Sequence, residues 1–211
     1  MSRIPFNGPR CRRCNVRPDL CICAHIPRIT PPVEVLIIRH RRERWKSTNS
    51  APLALAALEG ARMLEWAGRG APFSPPTLPE GRSFLLMPGP GARPADALPP
   101  GATAVALDGT WRQARRMIRR VPGLEALPRV VVSAGPTPPL VLRRRTVPGG
   151  MATAEALARL LFDLGAADDG QALFDAWQRQ VRAVLTSRGL APEARLAQLA
   201  AARRRGWVAE E

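Results

Sequence analysis

The sequence predicts an α/β chain with a mostly parallel sheet, preceded by a small cysteine-rich module and followed by a helical tail. Three observations carry this expectation: short apolar runs that are continuous rather than alternating, helical stretches set between them, and a wholly helical pattern after Gly150. The strand candidates are VEVLII (33–38), SFLLM (83–87), TAVAL (103–107) and RVVVS (129–133). The alanine- and leucine-rich stretch 51–67 and the stretch 110–120 supply the intervening helices. Further helices are expected over 152–164, 170–187 and 192–204, separated by Gly165 to Gly170 and by Gly189 to Pro192. The Pro- and Gly-rich stretches 68–82 and 88–101 read as surface loops. Pro31-Pro32 makes a hinge, so the expected organisation is a module over 1–32, a main domain over 33–187 and a helical extension over 188–211.

The chain has 211 residues, enough for one sizeable core or two small ones, and its 45% hydrophobic content excludes disorder of the whole. The formal charge is +15, and 31 of the 32 basic residues are arginine, Lys46 being the exception. A GC-rich genome would be one sufficient source of much of such a bias, but not of its placement. Residues 1–48 hold eleven basic and three acidic residues, and residues 111–145 hold nine and one. Two locally positive stretches favour a polyanion over a neutral metabolite, so nucleic acid is the first partner to consider. No run of eighteen apolar residues is present, and the start MSRIPFNGPR lacks the apolar region of an export signal. The expected compartment is therefore the cytoplasm, with no membrane partner and no protein partner implied.

In a reducing compartment, cysteines bunched in sequence read as metal ligands before they read as disulfides. Cys11, Cys14, Cys21 and Cys23 follow C-x2-C-x6-C-x-C, which supplies four thiolates from two short turns, as a closed tetrahedral zinc site requires. A closed four-sulfur shell leaves no open position for chemistry, so the expected zinc is structural. Arg10, Arg12, Arg13 and Arg17 would offset its net negative charge. Four free cysteines without metal is the plain alternative, and His25 stands close enough to replace one ligand.

The segment LDGTWRQARRM follows an apolar strand and opens a helix, which places Asp108 at the carboxyl end of that strand, where open α/β sheets bind ligands. Asp108 is either a turn-forming residue or a catalytic carboxylate. Thr110 and Gln113 have the spacing of a capping box, in which hydroxyl and amide each satisfy an orphan backbone donor. Trp111 either stacks on a base or purine ring or is buried. Arg112, Arg116, Arg119 and Arg120 fall along one side of the helix, with Arg115 nearby. Only Glu125 is acidic between 111 and 145, which favours phosphate binding over intramolecular pairing.

With the cysteine cluster, HRRERWKSTNS and LDGTW all in view, the chain resembles the DTW-domain family, the tRNA-uridine aminocarboxypropyltransferases, from about Cys11 to about residue 185. Members carry a similar cysteine cluster, then a segment matched here by His40, Glu43 and Ser47-Thr48-Asn49. The naming motif is matched by Asp108, Thr110 and Trp111, and downstream come an arginine and a helix start, here Arg143 and Ala152-Thr153-Ala154-Glu155-Ala156. Arg41 replaces a common proline, Leu140 a frequent aromatic residue, and Ala152 the usual serine.

The resemblance implies a fold related to the SPOUT-type α/β knot and S-adenosylmethionine as donor. Its 3-amino-3-carboxypropyl group would move to N3 of a tRNA uridine, leaving methylthioadenosine. Asp108 is then the candidate base, because N3 carries a proton at neutral pH and is a poor nucleophile until that proton is drawn away. Thr110, Trp111, Arg143 and Glu155 become donor-binding candidates: Arg143 or the N–H groups near Thr110 for the donor's carboxylate, Glu155 for its ammonium. Glu155 is equally an acid well placed in a first helical turn. His40 and Glu43 would line the same pocket, and with Ser47 and Thr48 they are candidates for the RNA substrate, with Arg112, Arg116 and Arg119 on the tRNA backbone; His40 is equally a satisfied polar residue. Two other readings remain open: a SPOUT-like RNA methyltransferase using the same donor, and a non-catalytic zinc-containing RNA-binding protein.

Overall fold

The computed structural model describes residues 8–67, 78–135, 138–142, 149–194, 196 and 197. In chain order the elements are β1 (Glu34–His40), α1 (Ala51–Ala57), β2 (Arg62–Trp66), β3 (Ser83–Leu86), β4 (Arg93–Pro94), β5 (Thr103–Asp108), α2 (Trp111–Arg120), β6 (Arg129–Val131), α3 (Thr153–Asp163) and α4 (Ala167–Ser187). The six strands form one sheet in the order β2-β1-β5-β3-β6-β4, and every neighbouring pair is parallel.

Both faces of this sheet are covered, which is why the central strands are apolar at consecutive positions. On one face Val35 and Ile37 of β1, Phe84 of β3 and Ala104 and Ala106 of β5 pack with α1, α3 and α4. On the other, Leu36 and Ile38, Leu85 and Val105 pack with Ala114, Met117 and Ile118 of α2. The cysteine-rich segment joins the first face: Cys14, Val16, Ile22 and Ile29 are buried in the same core. Among the described residues no helix is long and apolar enough to cross a membrane.

Residues 51–67 do not form the single helix that composition predicts. Helix α1 ends at Ala57, Gly60 takes a left-handed φ of +73°, and 62–66 becomes strand β2, pairing from Leu36↔Arg62 to His40↔Trp66. Methionine, leucine and glutamate are good helix formers, but a free edge of β1 and the Arg39–Glu65 ion pair at 2.8 Å outweigh that weak local preference. The expected loop 88–101 contains the two-residue edge strand β4, where Pro94 lacks an N–H that a central strand would need.

Helix α4 begins at Ala167, three residues before its expected start. Gly170 lies inside it rather than ahead of it, because a Cβ there would come within 3.0 Å of the Ala158 carbonyl and the Phe162 ring. Its glycine therefore permits close α3–α4 packing. Of the expected helix 192–204, residues 192–194, 196 and 197 are helical and the remainder lies outside the described residues.

Candidate functional site

Strands β1 and β5 are neighbours, with Arg39 opposite Asp108, yet the chain leaves them for opposite faces: β1 leads to α1 and β5 to α2. Such a divergence opens a crevice at the carboxyl ends of the strands, the usual ligand position in open α/β sheets. Here it holds a cavity of about 220 Å³. Its walls are Glu43 and Thr48 to Ser50 after β1, Asp108 to Trp111 after β5, and Ala152, Thr153 and Glu155 at the start of α3.

Asp108, the last residue of β5, is 6% exposed. Its Oδ1 accepts from the Thr153 hydroxyl at 2.8 Å and its Oδ2 from Asn49 Nδ2 at 2.7 Å. Burial raises its pKa above the usual carboxylate value, while the hydrogen bonds from Thr153 and Asn49 act in the opposite direction by favouring the anion. The result is a carboxylate held at both oxygens, with its proton affinity raised and its face on a cavity.

Asn49 is the joint of the β1 loop. Its Nδ2 also donates to the Glu43 carbonyl at 3.0 Å, and its Oδ1 accepts from the Ala51 N–H at 2.8 Å, which starts α1 ahead of Pro52. Ser50 reaches α3, where its Oγ accepts from the Ala154 N–H at 3.0 Å. Ala152, at the N-cap, has no side-chain oxygen, so a hydroxyl from another loop satisfies an orphan N–H of this helix. Glu155 takes the Ala152 N–H at 3.1 Å, is buried, and lines the cavity.

The expected capping box is present: Gln113 N–H donates to Thr110 Oγ1 at 3.3 Å and Thr110 N–H to Gln113 Oε1 at 2.6 Å. Trp111 borders the cavity and also a second, mainly apolar one of about 280 Å³, walled by Leu86, Met87, Leu107 and Val131. Gly109, Met151 and Thr153 belong to both cavities.

His40 is buried at the end of β1, where Nδ1 accepts from the Arg42 N–H at 3.2 Å and the ring meets Trp66 edge-on at 5.4 Å. Burial lowers its pKa, and it is not one of the residues lining the Asp108 cavity. Glu43 is buried against Lys46, whose ammonium pairs with Oε1. Ser47 Oγ accepts from Arg188 at 2.9 Å, and Thr48 lines the cavity. Arg112, Arg116 and Arg119 are exposed along α2. Arg116 lies on the β1 side, where its charge lowers the His40 pKa, and Arg119 borders a shallow recess with Arg115 and Arg129. Arg143 lies outside the described residues.

The four cysteine sulfurs lie within 4.8 Å of one another, with Cys11–Cys23 at 3.3 Å and Cys14–Cys21 at 3.6 Å. Sulfurs around one zinc, at bonds of about 2.3 Å, stand about 3.8 Å apart, so this donor set fits a tetrahedral ion. Burial raises the Cys11 thiol, but backbone hydrogen bonds from Cys14 and Arg13, together with side-chain hydrogen bonds from Cys23 and Cys14, outweigh it and bring it to about 6. Burial raises Cys14 and Cys23. The cluster is tied to the loop after β1 whose Asn49 holds Asp108. Asn15, at a left-handed φ of 58°, donates to the carbonyls of Lys46 at 2.9 Å and Asn49 at 3.0 Å. Gln180, fully buried on α4, donates to the carbonyls of Cys14 at 2.8 Å and Asn49 at 3.1 Å.

Of the residues singled out from the sequence, Asp108, Thr110, Trp111, Glu43, Thr48 and Glu155 meet at one cavity and His40 and Ser47 do not line it, while the sequence assigned no role to Asn49, Ser50, Thr153 or Gln180. An asparagine two residues ahead of a helix was a legible signal for Asn49. For Gln180 there was none, since its partners are 131 and 166 residues away.

A family model described as the DTW domain matches residues 8–185. A relative from Drosophila melanogaster, named tRNA-uridine aminocarboxypropyltransferase 2, is 24% identical over 168 residues, covering 74% of this chain and 67% of its own. No solved structure matches.

Proposed function

The chain belongs to the DTW domain family, and on that premise we propose that it transfers the 3-amino-3-carboxypropyl group of S-adenosylmethionine to N3 of a uridine in tRNA. The observation that carries this reading is the buried Asp108 carboxylate, held by Asn49 and Thr153 and facing a cavity at the strand ends.

In the reaction, Asp108 takes the N3 proton of uridine, and the N3 electron pair attacks the Cγ methylene beside the sulfonium. The N3–Cγ bond forms, the Cγ–S bond breaks, and its electron pair neutralises sulfur to give methylthioadenosine. The leaving group departs neutral and needs no acid, so orientation is the main task. A raised pKa suits Asp108 to it, since a base works best when its pKa approaches the operating pH. The same sulfonium offers a less hindered methyl group, so the cavity must aim the methylene at N3.

The apolar cavity beside Trp111 fits the adenosine portion of the donor by size and character, and Glu155 at the α3 start would hold the ammonium. The N–H groups around Thr110 and the side chain of Arg143 are the candidates for the donor's carboxylate. Thr48 and Glu43, which line the cavity, would stand on the uridine side, and the exposed arginines of α2 would meet the tRNA backbone. Zinc on Cys11, Cys14, Cys21 and Cys23 would act structurally, by holding the segment that carries Asn15. The same proposal includes a SPOUT-related knot, a cytoplasmic setting that keeps the thiols reduced, and the division into 1–32, 33–187 and 188–211.

The test incubates the purified protein with tRNA and two preparations of S-adenosylmethionine, labelled in the methyl group or in the carboxyl carbon. Carboxyl label alone entering RNA is the expected result. Methyl label alone would make the protein a methyltransferase, and no label from either preparation would overturn the assignment.

A further inference from the structure

We propose that Trp45 is a stacking platform for an unpaired base of the tRNA next to the target uridine. The inference rests on the reading of tRNA as substrate, and adds a recognition site separate from the Asp108 cavity.

Trp45 is 77% exposed, whereas Trp66 and Trp177 are 4% and 3% exposed. Only Leu190, at 38%, is another large exposed apolar residue among the described ones. An indole left in water forgoes a large burial gain, so its surroundings indicate what it waits for. Those surroundings are cationic: Arg41, Arg42 and Arg44 are exposed, and Lys46 neutralises Glu43. The described residues expose only one other large apolar side chain, too few for the apolar centre of a protein-docking patch, so a lone indole among arginines fits a ligand with both phosphates and flat aromatic faces.

The ring is also held in advance. The Arg44 guanidinium lies over it at 4.9 Å from the centroid, and Arg44 is itself anchored to Glu65 of β2 at 3.7 Å. A cation thus lies against one face of a ring that stays largely exposed, which lowers the ordering cost when a base stacks on the opposite face. Position completes the argument. Glu43, two residues earlier, lines the Asp108 cavity, so the Trp45 α-carbon lies within about 7 Å of the cavity wall. A uridine whose N3 is presented to Asp108 must leave its stack, and the base beside it then has an exposed face.

The experiment compares the full-length parent with Trp45→Ala, Trp45→Phe and Trp45→Leu. Binding is measured to total tRNA, to single-stranded oligouridylate and to a blunt RNA duplex, with S-adenosylmethionine binding as a control for folding. Trp45→Ala should weaken tRNA and oligouridylate binding by about 10-fold, with little effect on the duplex. Phenylalanine should restore most of the loss and leucine should not, because leucine is apolar but has no flat π face. The salt dependence should keep its slope, since every phosphate-binding cation is kept, and the loss in turnover should fall on KM rather than kcat. Unchanged binding in Trp45→Ala, equal rescue by leucine, a change in oligomeric state without a change in tRNA affinity, or a parent that binds no tRNA would each overturn the proposal. If the parent transfers no carboxyl label but the Ala, Phe and Leu pattern holds, the transferase reading falls while the stacking site stands.

Discussion

The side-chain amide of Gln180 donates to the main-chain oxygen of Cys14 at 2.8 Å, joining the last long helix to the cysteine turn across 166 residues. The same nitrogen reaches the carbonyl of Asn49 at 3.1 Å, and Asn49 in turn holds Asp108. Gln180→Leu leaves the Cys14 carbonyl without this partner in a dry environment. We expect a loss of about 2 kcal/mol, read as a fall in Tm of about 4–8 °C. If Tm is unchanged, the bridge contributes nothing to stability.

Asp108→Asn should abolish transfer and leave the protein as stable as the parent or more so. The folded-state pKa of Asp108 is raised, so ionisation in the fold is disfavoured relative to the unfolded chain. The stabilising effect of the asparagine should therefore be absent at pH below the unfolded carboxylate value. It should grow as pH rises through that value and reach its full extent above the folded pKa. An asparagine can still accept from Asn49 and donate to the Thr153 hydroxyl. The gain would appear as a higher Tm at neutral pH than at acid pH relative to the parent, whereas lower stability at neutral pH would contradict the sign.

Thr153→Val removes a donor that favours the Asp108 anion. The Asp108 pKa should rise further, so the acidic limb of kcat against pH should move to higher pH and turnover on that limb should fall. Thr153→Ser, which keeps the hydroxyl, should restore the parental limb. A limb that stays in place would show that Thr153 does not act through Asp108.

The cysteine cluster should bring about one zinc per chain through purification, measurable by elemental analysis. Cys14→Ser should lower that content and the Tm together, and tRNA modification with them, because Asn15 and the Cys14 carbonyl are wired to the Asn49 loop. A metal-free parent with unaltered Tm would return the four thiols to ordinary free cysteines.

Replacing Arg116 and Arg119 with alanine should weaken tRNA binding and reduce the log–log salt slope by roughly 0.9 or a little less for each phosphate that these guanidinium groups neutralise. An unchanged slope would mean that these side chains form a solvated face only.

Elements whose signals are local were legible from the order of residues alone. Continuous apolar runs identified β1, β3, β5 and β6 because a strand buried on both faces needs no alternation, and the spacing of Thr110 and Gln113 reported its own capping box. Four cysteines within thirteen residues and an aspartate at a strand end were likewise visible without a fold. The tertiary structure decided the rest. Residues 62–66 became a strand because β1 offered an edge, Ser50 capped α3 across 104 residues, and Asn49 and Thr153 reached Asp108 from 59 and 45 residues away. Periodicity and capping patterns report on neighbours in the chain, whereas the partners of a buried carboxylate are chosen by which loops the sheet order brings to one end.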